Sequence, residues 1–300
     1  MRVRLTEVSP RDGLQNEPKT IPIDLKVAFV DALSEAGFEE IEVSSFVSPK
    51  RIPQLADAEQ VFARIRRRES TIYSALVPNE RGLERAVRAR AGKVAVFTAA
   101  SETFNRKNVN ASIQESIARF KPVVEGARRD SIPVRGYVST AFWCPYEGKI
   151  APEAVVEVVR RLTELGIDEI SIGDTIGKAV PREVMELLDR LLDHVDQDRI
   201  AMHFHDTYGT AVANVLASYE RGIAAFDASA GGVGGCPFAP GAAGNVATED
   251  VIWALTRSGA KLSPDLDRVR AASDLLEAAL GTPLRSRVRE ALSGGKSPLR

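Results

Sequence analysis

The sequence predicts a closed (β/α)8 barrel, and two observations predict it. The first is a recurring local pattern, in which a helix ends, a Gly follows, and a short apolar strand runs into polar residues. It reads LSEAGFEEIEVSS at 33–45, RARAGKVAVFTAA at 88–100, LTELGIDEISIGD at 162–174 and SYERGIAAFDASA at 218–230. A Gly suits the left-handed residue that closes a helix. The second is the count: eight strand-like runs alternate with helical patterns along 300 residues. Alternation implies parallel strands joined by crossovers, and eight units suit a closed barrel. A doubly wound open sheet is the competing arrangement, but it usually stops at fewer strands.

In order, strands are predicted near 3–8, 39–43, 71–76, 93–97, 133–138, 168–172, 199–204 and 224–228. Helices are predicted near 24–36, 53–67, 79–90, 111–129, 152–165, 181–194, 209–221 and 247–259. Two further helices, 265–280 and 286–292, are expected to pack outside the barrel. The organisation expected is one catalytic barrel with its helical extension over 1–285, then a terminal helix and loose tail over 286–300.

Composition excludes several classes of protein. Hydrophobic residues make up 44% and charged residues 27%, with a net charge of −1, as in ordinary globular chains. Near-zero charge points away from nucleic acid and anionic membrane as partners. No apolar run approaches the roughly 20 residues of a membrane span. Val3, Leu5 and Val8 enter a strand pattern at once, which leaves no room for a targeting peptide. Two cysteines, Cys144 and Cys236, are too few for a disulfide framework, so a reduced cytoplasmic protein is expected.

In a barrel of this kind, residues at the C-terminal ends of strands converge on one rim. His203 and His205 end the seventh strand two residues apart, so both imidazoles face one side and Phe204 the other. Arg11 and Asp12 follow the first strand, Glu42 lies on the second, Tyr137 on the fifth and Asp174 on the sixth. Asp227 ends the eighth and reads as a helix cap or a salt bridge to barrel neighbours. Two imidazoles with one or two oxygen ligands suit an octahedral Mg²⁺ or Mn²⁺, with Zn²⁺ also compatible. The glycine-dense stretch from Gly231 to Asn245 reads as a mobile loop that closes over substrate. Cys236 within it is either a buried hydrophobe or a proton donor or nucleophile, and Asn245 is either a helix N-cap or a carbonyl-oxygen ligand.

The run Glu7-Val8-Ser9-Pro10-Arg11-Asp12-Gly13-Leu14-Gln15-Asn16-Glu17 resembles the opening signature of the 3-hydroxy-3-methylglutaryl-CoA lyase family. So do IEVSSFVSPK (41–50), RGYVSTAFWCPYEG (135–148), ISIGDTIG (170–177), HFHDTYG (203–209) and GGCPFAPGAAGNVATED (234–250). The resemblance implies a metal-dependent TIM-barrel lyase. It places metal ligands at Asp12, His203, His205 and Asn245, a catalytic Arg at Arg11 and a catalytic Cys at Cys236. Further active-site residues fall on Glu42, Tyr137, Asp174 and Glu249. The implied reaction is retro-Claisen cleavage of the acyl-CoA thioester to acetyl-CoA and acetoacetate, in leucine breakdown and ketone-body formation. The general base stays open between Asp12 and Asp174. A homodimer or higher homo-oligomer is also implied. Trp143 is bulkier than the resemblance leads one to expect and is a candidate to reshape the acyl pocket, which makes a larger-branched 3-hydroxyacyl-CoA an alternative substrate. A condensing synthase of the same superfamily is a further alternative. A non-catalytic metal- or acyl-CoA-binding protein would not require this full set of residues.

Overall fold

The computed structural model describes residues 1–236 and 239–293; the side chains of 236 and 239–242 are outside the description. The expectation for the Cys236 thiol therefore lies outside what is described. The first half of the barrel contains β1 (Arg4–Glu7), α1 (Ile23–Ala36), β2 (Glu40–Ser45), α2 (Ala58–Arg64), β3 (Ile72–Leu76) and α3 (Glu80–Arg88). Next come β4 (Lys93–Ala99), α4 (Glu102–Val109), α5 (Ile113–Arg129) and β5 (Val134–Ser139). A small hairpin, β6 (Trp143–Cys144) with β7 (Gly148–Lys149), precedes α6 (Pro152–Leu165). The second half runs β8 (Glu169–Asp174), α7 (Pro181–Leu191), β9 (Ile200–Phe204), α8 (Ala211–Glu220) and β10 (Ala225–Ala228). A two-stranded ribbon, β11 (Gly235–Cys236) with β12 (Ala239–Ala243), leads to α9 (Thr248–Arg257), α10 (Leu266–Leu280) and α11 (Arg287–Ser293).

The large strands close in the order β1-β10-β9-β8-β5-β4-β3-β2, every neighbouring pair parallel. This is the predicted eight-stranded barrel, with strand limits within about two residues of those expected. Local chemistry explains the elements. Helix α6 starts with Pro152, whose missing N–H costs nothing in a first turn, and ends on Gly166 at φ 90°. Its buried Val155, Val158, Val159 and Leu162 follow helical spacing and cover the sheet. Helix α5 opens with a reciprocal cap between Ser112 and Glu115.

One predicted helix differs from what is observed, and one observed helix was not predicted. The expected 53–67 helix is a single tight turn at Pro53–Leu55 followed by the shorter α2. Gln54 is spent on another task. Its amide accepts from Ile21 N and donates to Lys19 O, and Lys26 binds both the Gln54 carbonyl and Asp57. Helix α4 was not foreseen. Its sequence is mostly polar, and it is held by Ser101 capping Phe104 N and by Asn110 in the left-handed region at φ 52°. At the C-terminus, α11 is tied to α9 through Asp250, which accepts from Ser286 Oγ at 2.7 Å and from Val288 N at 2.8 Å.

Candidate active site

The rim is built first by a turn. After β1, the amides of Arg11, Asp12 and Gly13 all point at the Val8 carbonyl, at 3.2, 2.8 and 3.2 Å. This widened turn swings Arg11 and Asp12 over the barrel axis. Two strands round the barrel, beyond β10, β9 delivers His203, and His205 follows it, their ring centroids 5.2 Å apart. Phe204 turns outward and packs near Phe142 at 6.4 Å, as the alternation predicts. His205 pairs as an antiparallel bridge with Asn245, and Val246 N donates to Phe204 O. That backbone pairing brings Asn245 to the histidines.

Ligand atoms of Asp12, His203 and His205 lie within 4.8 Å of one another. Asn245 Nδ2 donates to Asp12 Oδ2 at 2.9 Å, while its Oδ1 is buried without a partner. His205 Nδ1 is buried and unpartnered as well. Bare buried lone pairs are costly unless something electropositive meets them. A carboxylate, two imidazoles and an amide oxygen form a mixed hard donor set, so these residues fit a divalent cation. Asn245 is not the helix cap: α9 begins at Thr248, with Ala247 in the cap position.

The electrostatics follow from burial and neighbours. Burial alone would raise the Asp12 carboxyl, but Arg11, His203 and His205 hold it below its usual range. Burial and the neighbouring His203 push His205 down to about 4, so it is neutral and able to ligate. His203 moves the other way: burial opposes its charge, but Asp227 and Asp12 outweigh that.

Arg11 is pinned. Its Nε and Nη2 reach Glu42 Oε2 at 2.7 and 2.6 Å, and its Nη1 reaches Asp12 Oδ1 at 2.6 Å. Tyr137 donates to the same Glu42 oxygen at 3.2 Å, with the guanidinium 5.4 Å from its ring. A cavity of about 410 Å³ opens beside these groups. Arg11, Asp12, His203 and His205 form its polar wall, and Val47, Ile52, Leu76, Phe97 and Phe104 its apolar side.

Two expected residues sit behind this wall. Asp174 is fully buried, and its two oxygens accept from Lys178 N and Ala179 N at 3.1 and 2.9 Å. Burial, only partly offset by those amides, raises it to about 6. The cavity lining includes Gly173 and Thr175 on either side of it, but not Asp174 itself. Glu249 is also fully buried and accepts from Gly231 N at 2.8 Å and Ser273 Oγ at 2.6 Å. It braces the root of the glycine-rich segment and does not line the cavity.

At that root the backbones nearly touch. A Cβ at Gly244 would run into the Gly234 carbonyl, and one at Gly234 would lie 2.9 Å from Asn245 Nδ2. Gly234 also has φ +109°, open only to glycine without strain.

The expectation for Trp143 is corrected. Its indole N–H donates to Glu183 at 3.1 Å, Lys178 Nζ sits 3.9 Å from its ring, and it does not line the cavity. The β6–β7 hairpin turns it onto α7 and away from the barrel axis. The sequence reading missed Glu7, whose oxygens accept from Ser9 N, Ala230 N and Thr248 Oγ1 at 3.0, 2.9 and 2.7 Å. Its signal was a carboxylate on the last residue of β1, at the head of the opening signature.

A parallel barrel with a preset cation, a neutral imidazole and a hard-donor cluster at one cavity defines an enzyme acting on oxygen-rich substrates. Comparison with known proteins narrows this. The HMGL-like family model matches residues 2–276. A 3-hydroxy-3-isohexenylglutaryl-CoA/hydroxy-methylglutaryl-CoA lyase of Pseudomonas aeruginosa is 47% identical over 291 residues, covering 97% of each chain. A crystal structure of hydroxymethylglutaryl-CoA lyase from Pseudomonas aeruginosa matches with TM-score 0.96 and 47% identity over 97% of both chains. A lyase from Acinetobacter baumannii, solved with coenzyme A and 3-methylmalate, matches with TM-score 0.93 and 41% identity over 100% and 97% of the two chains. This chain belongs to the HMGL-like family, and it is a carbon–carbon lyase.

Proposed function

We propose that this protein cleaves 3-hydroxy-3-methylglutaryl-CoA to acetyl-CoA and acetoacetate in a divalent-metal-dependent retro-Claisen reaction. The observation that carries the reading is the meeting of Arg11, Asp12, His203 and His205 at one cavity wall. The names of the relatives supply the substrate. A cation held by Asp12, His203, His205 and Asn245 would supply Lewis acidity toward the substrate's hydroxyl and carbonyl oxygens. The other roles belong to the chain. The 3-hydroxyl gives up its proton, the carbon–carbon bond breaks, and its electron pair moves into the thioester as an enolate. Asp12 lines the cavity and Asp174 does not, so we assign the hydroxyl proton to Asp12. Arg11, clamped by Glu42 and Asp12, faces the thioester oxygen where charge accumulates. Glu42 and Tyr137 hold Arg11 in place and do not react themselves. Cys236 is assigned the proton that converts the enolate to acetyl-CoA.

A second reading, cleavage of a larger-branched 3-hydroxyacyl-CoA, is favoured by the apolar wall of Val47, Ile52, Leu76, Phe97 and Phe104. Both readings meet in one assay. Protein supplemented with Mg²⁺ or Mn²⁺ is incubated with the methylglutaryl thioester and with longer-branched analogues. Equal release of acetyl-CoA and acetoacetate from the first is expected. Absence of acetyl-CoA would overturn the proposal, and consumption of acetyl-CoA with a 2-oxo acid would replace it with a condensing enzyme.

A further inference from the structure

A buried chain of charges runs from the rim to the barrel floor. Asp227, on β10, stands opposite His203 in the β9–β10 register. It is 2% exposed as a residue, and its carboxyl is fully covered. Its Oδ2 lies 3.2 Å from His203 Nδ1 and accepts from Ser171 Oγ at 2.9 Å. Its Oδ1 accepts from Arg135 at 2.5 Å. Arg135 in turn faces Glu169 at 3.3 Å and lies 4.9 Å from the Tyr137 ring. Neither Asp227 nor Arg135 lines the cavity. His205 offers the contrast, because its Nδ1 has no such partner.

We propose that Asp227 is the positioning residue that sets the tautomer of His203, with Arg135 as its buried countercharge. The inference rests on reading His203 as a metal ligand. An ionised carboxylate has only lone pairs to offer, so the nitrogen beside it must bring the hydrogen. His203 therefore carries its proton on Nδ1 and keeps its lone pair on Nε2. Rotating the ring would take from the buried Asp227 Oδ2 one of its two partners, leaving only Ser171 Oγ. A carboxylate behind a ligating histidine is the general device for fixing its orientation and raising its basicity.

Asp227→Asn reverses the hydrogen bond. Arg135 can only donate, so it holds the new amide oxygen, and the NH₂ faces His203 Nδ1. That NH₂ donates to Nδ1 and drives the ring proton to Nε2, where the lone pair was.

Two measurements test this. The chain has three histidines, so the ring nitrogens of the metal-free native protein can be assigned by ¹⁵N NMR in mildly alkaline buffer, using single replacements. The Nδ1–H form of His203 is expected; the Nε2–H form would overturn the proposal whatever the variant does. In the second, free Mn²⁺ is followed by EPR during titration of native and Asp227→Asn protein of matching circular dichroism. The variant should lose roughly 10–100-fold in affinity. Equal affinity would overturn the proposal. If native protein binds no Mn²⁺, the metal reading fails, and the NMR result still decides the role of Asp227.

Discussion

The two ends of the barrel interior hold similar side chains in opposite conditions. At the floor, Lys93 Nζ lies 2.9 Å from Glu40 and 3.0 Å from Glu169, while Arg4 and Arg135 also pair with Glu169. The buried polar atoms left over there are donors, Arg4 Nε and Arg135 Nε. At the rim the atoms left over include plain acceptors, Glu42 Oε1 and Asn245 Oδ1, beside His205 Nδ1 and Ser9 Oγ, which can play either part. Charge density alone does not separate a structural network from a working site. What separates them among the described residues is the sign of the unmet need. The floor has cations enough for its carboxylates, whereas the rim leaves lone pairs unmet around a cavity that His205 lines.

Replacing a rim acceptor should break this contrast most sharply. Asp12→Ala should lose Mn²⁺ binding in an EPR titration, and acetyl-CoA release should fall by at least about 10³-fold. Retained tight binding would remove Asp12 from the ligand set. Arg11→Gln separates charge stabilisation from metal holding. It should keep the metal and lose about 10²–10³-fold in kcat. The floor should respond in the other way. Lys93→Met leaves Glu40 and Glu169 without their shared cation, so it should cost about 3–5 kcal/mol in urea unfolding. Its Mn²⁺ affinity should match that of the native protein, and a weakened affinity would show that the two ends are not separable.

The eight strands could be read from the sequence because each alternates with a helix closed by Gly, as at Gly37 and Gly166. The histidine pair could be read because strand geometry puts residues two apart on one face. Helix α4 escaped because its evidence is two caps, Ser101 and Asn110, around a polar segment without an apolar stripe. Of the two readings of Asp227, helix cap or salt bridge, the structure shows the salt bridge, to Arg135. Its bond to His203 depends on which strand lies beside β10, and that order exists only in the closed barrel. Glu249 shows the reverse difficulty. Sequence resemblance places it in the site, while its contacts with Gly231 and Ser273 place it behind the loop.

Asp12 and Asn245 are 233 positions apart, yet their side chains touch where β1 meets β10. An ion shared across that seam would act as a clasp between the two halves of the polypeptide. A nascent chain still lacking its final quarter would have Asp12, His203 and His205 but no closed ring to gather them. Chelation would then come after folding, and it would favour the folded form in proportion to the logarithm of the free ion concentration. Starving the protein of metal should therefore leave it easier to open and to digest, even with every covalent bond intact.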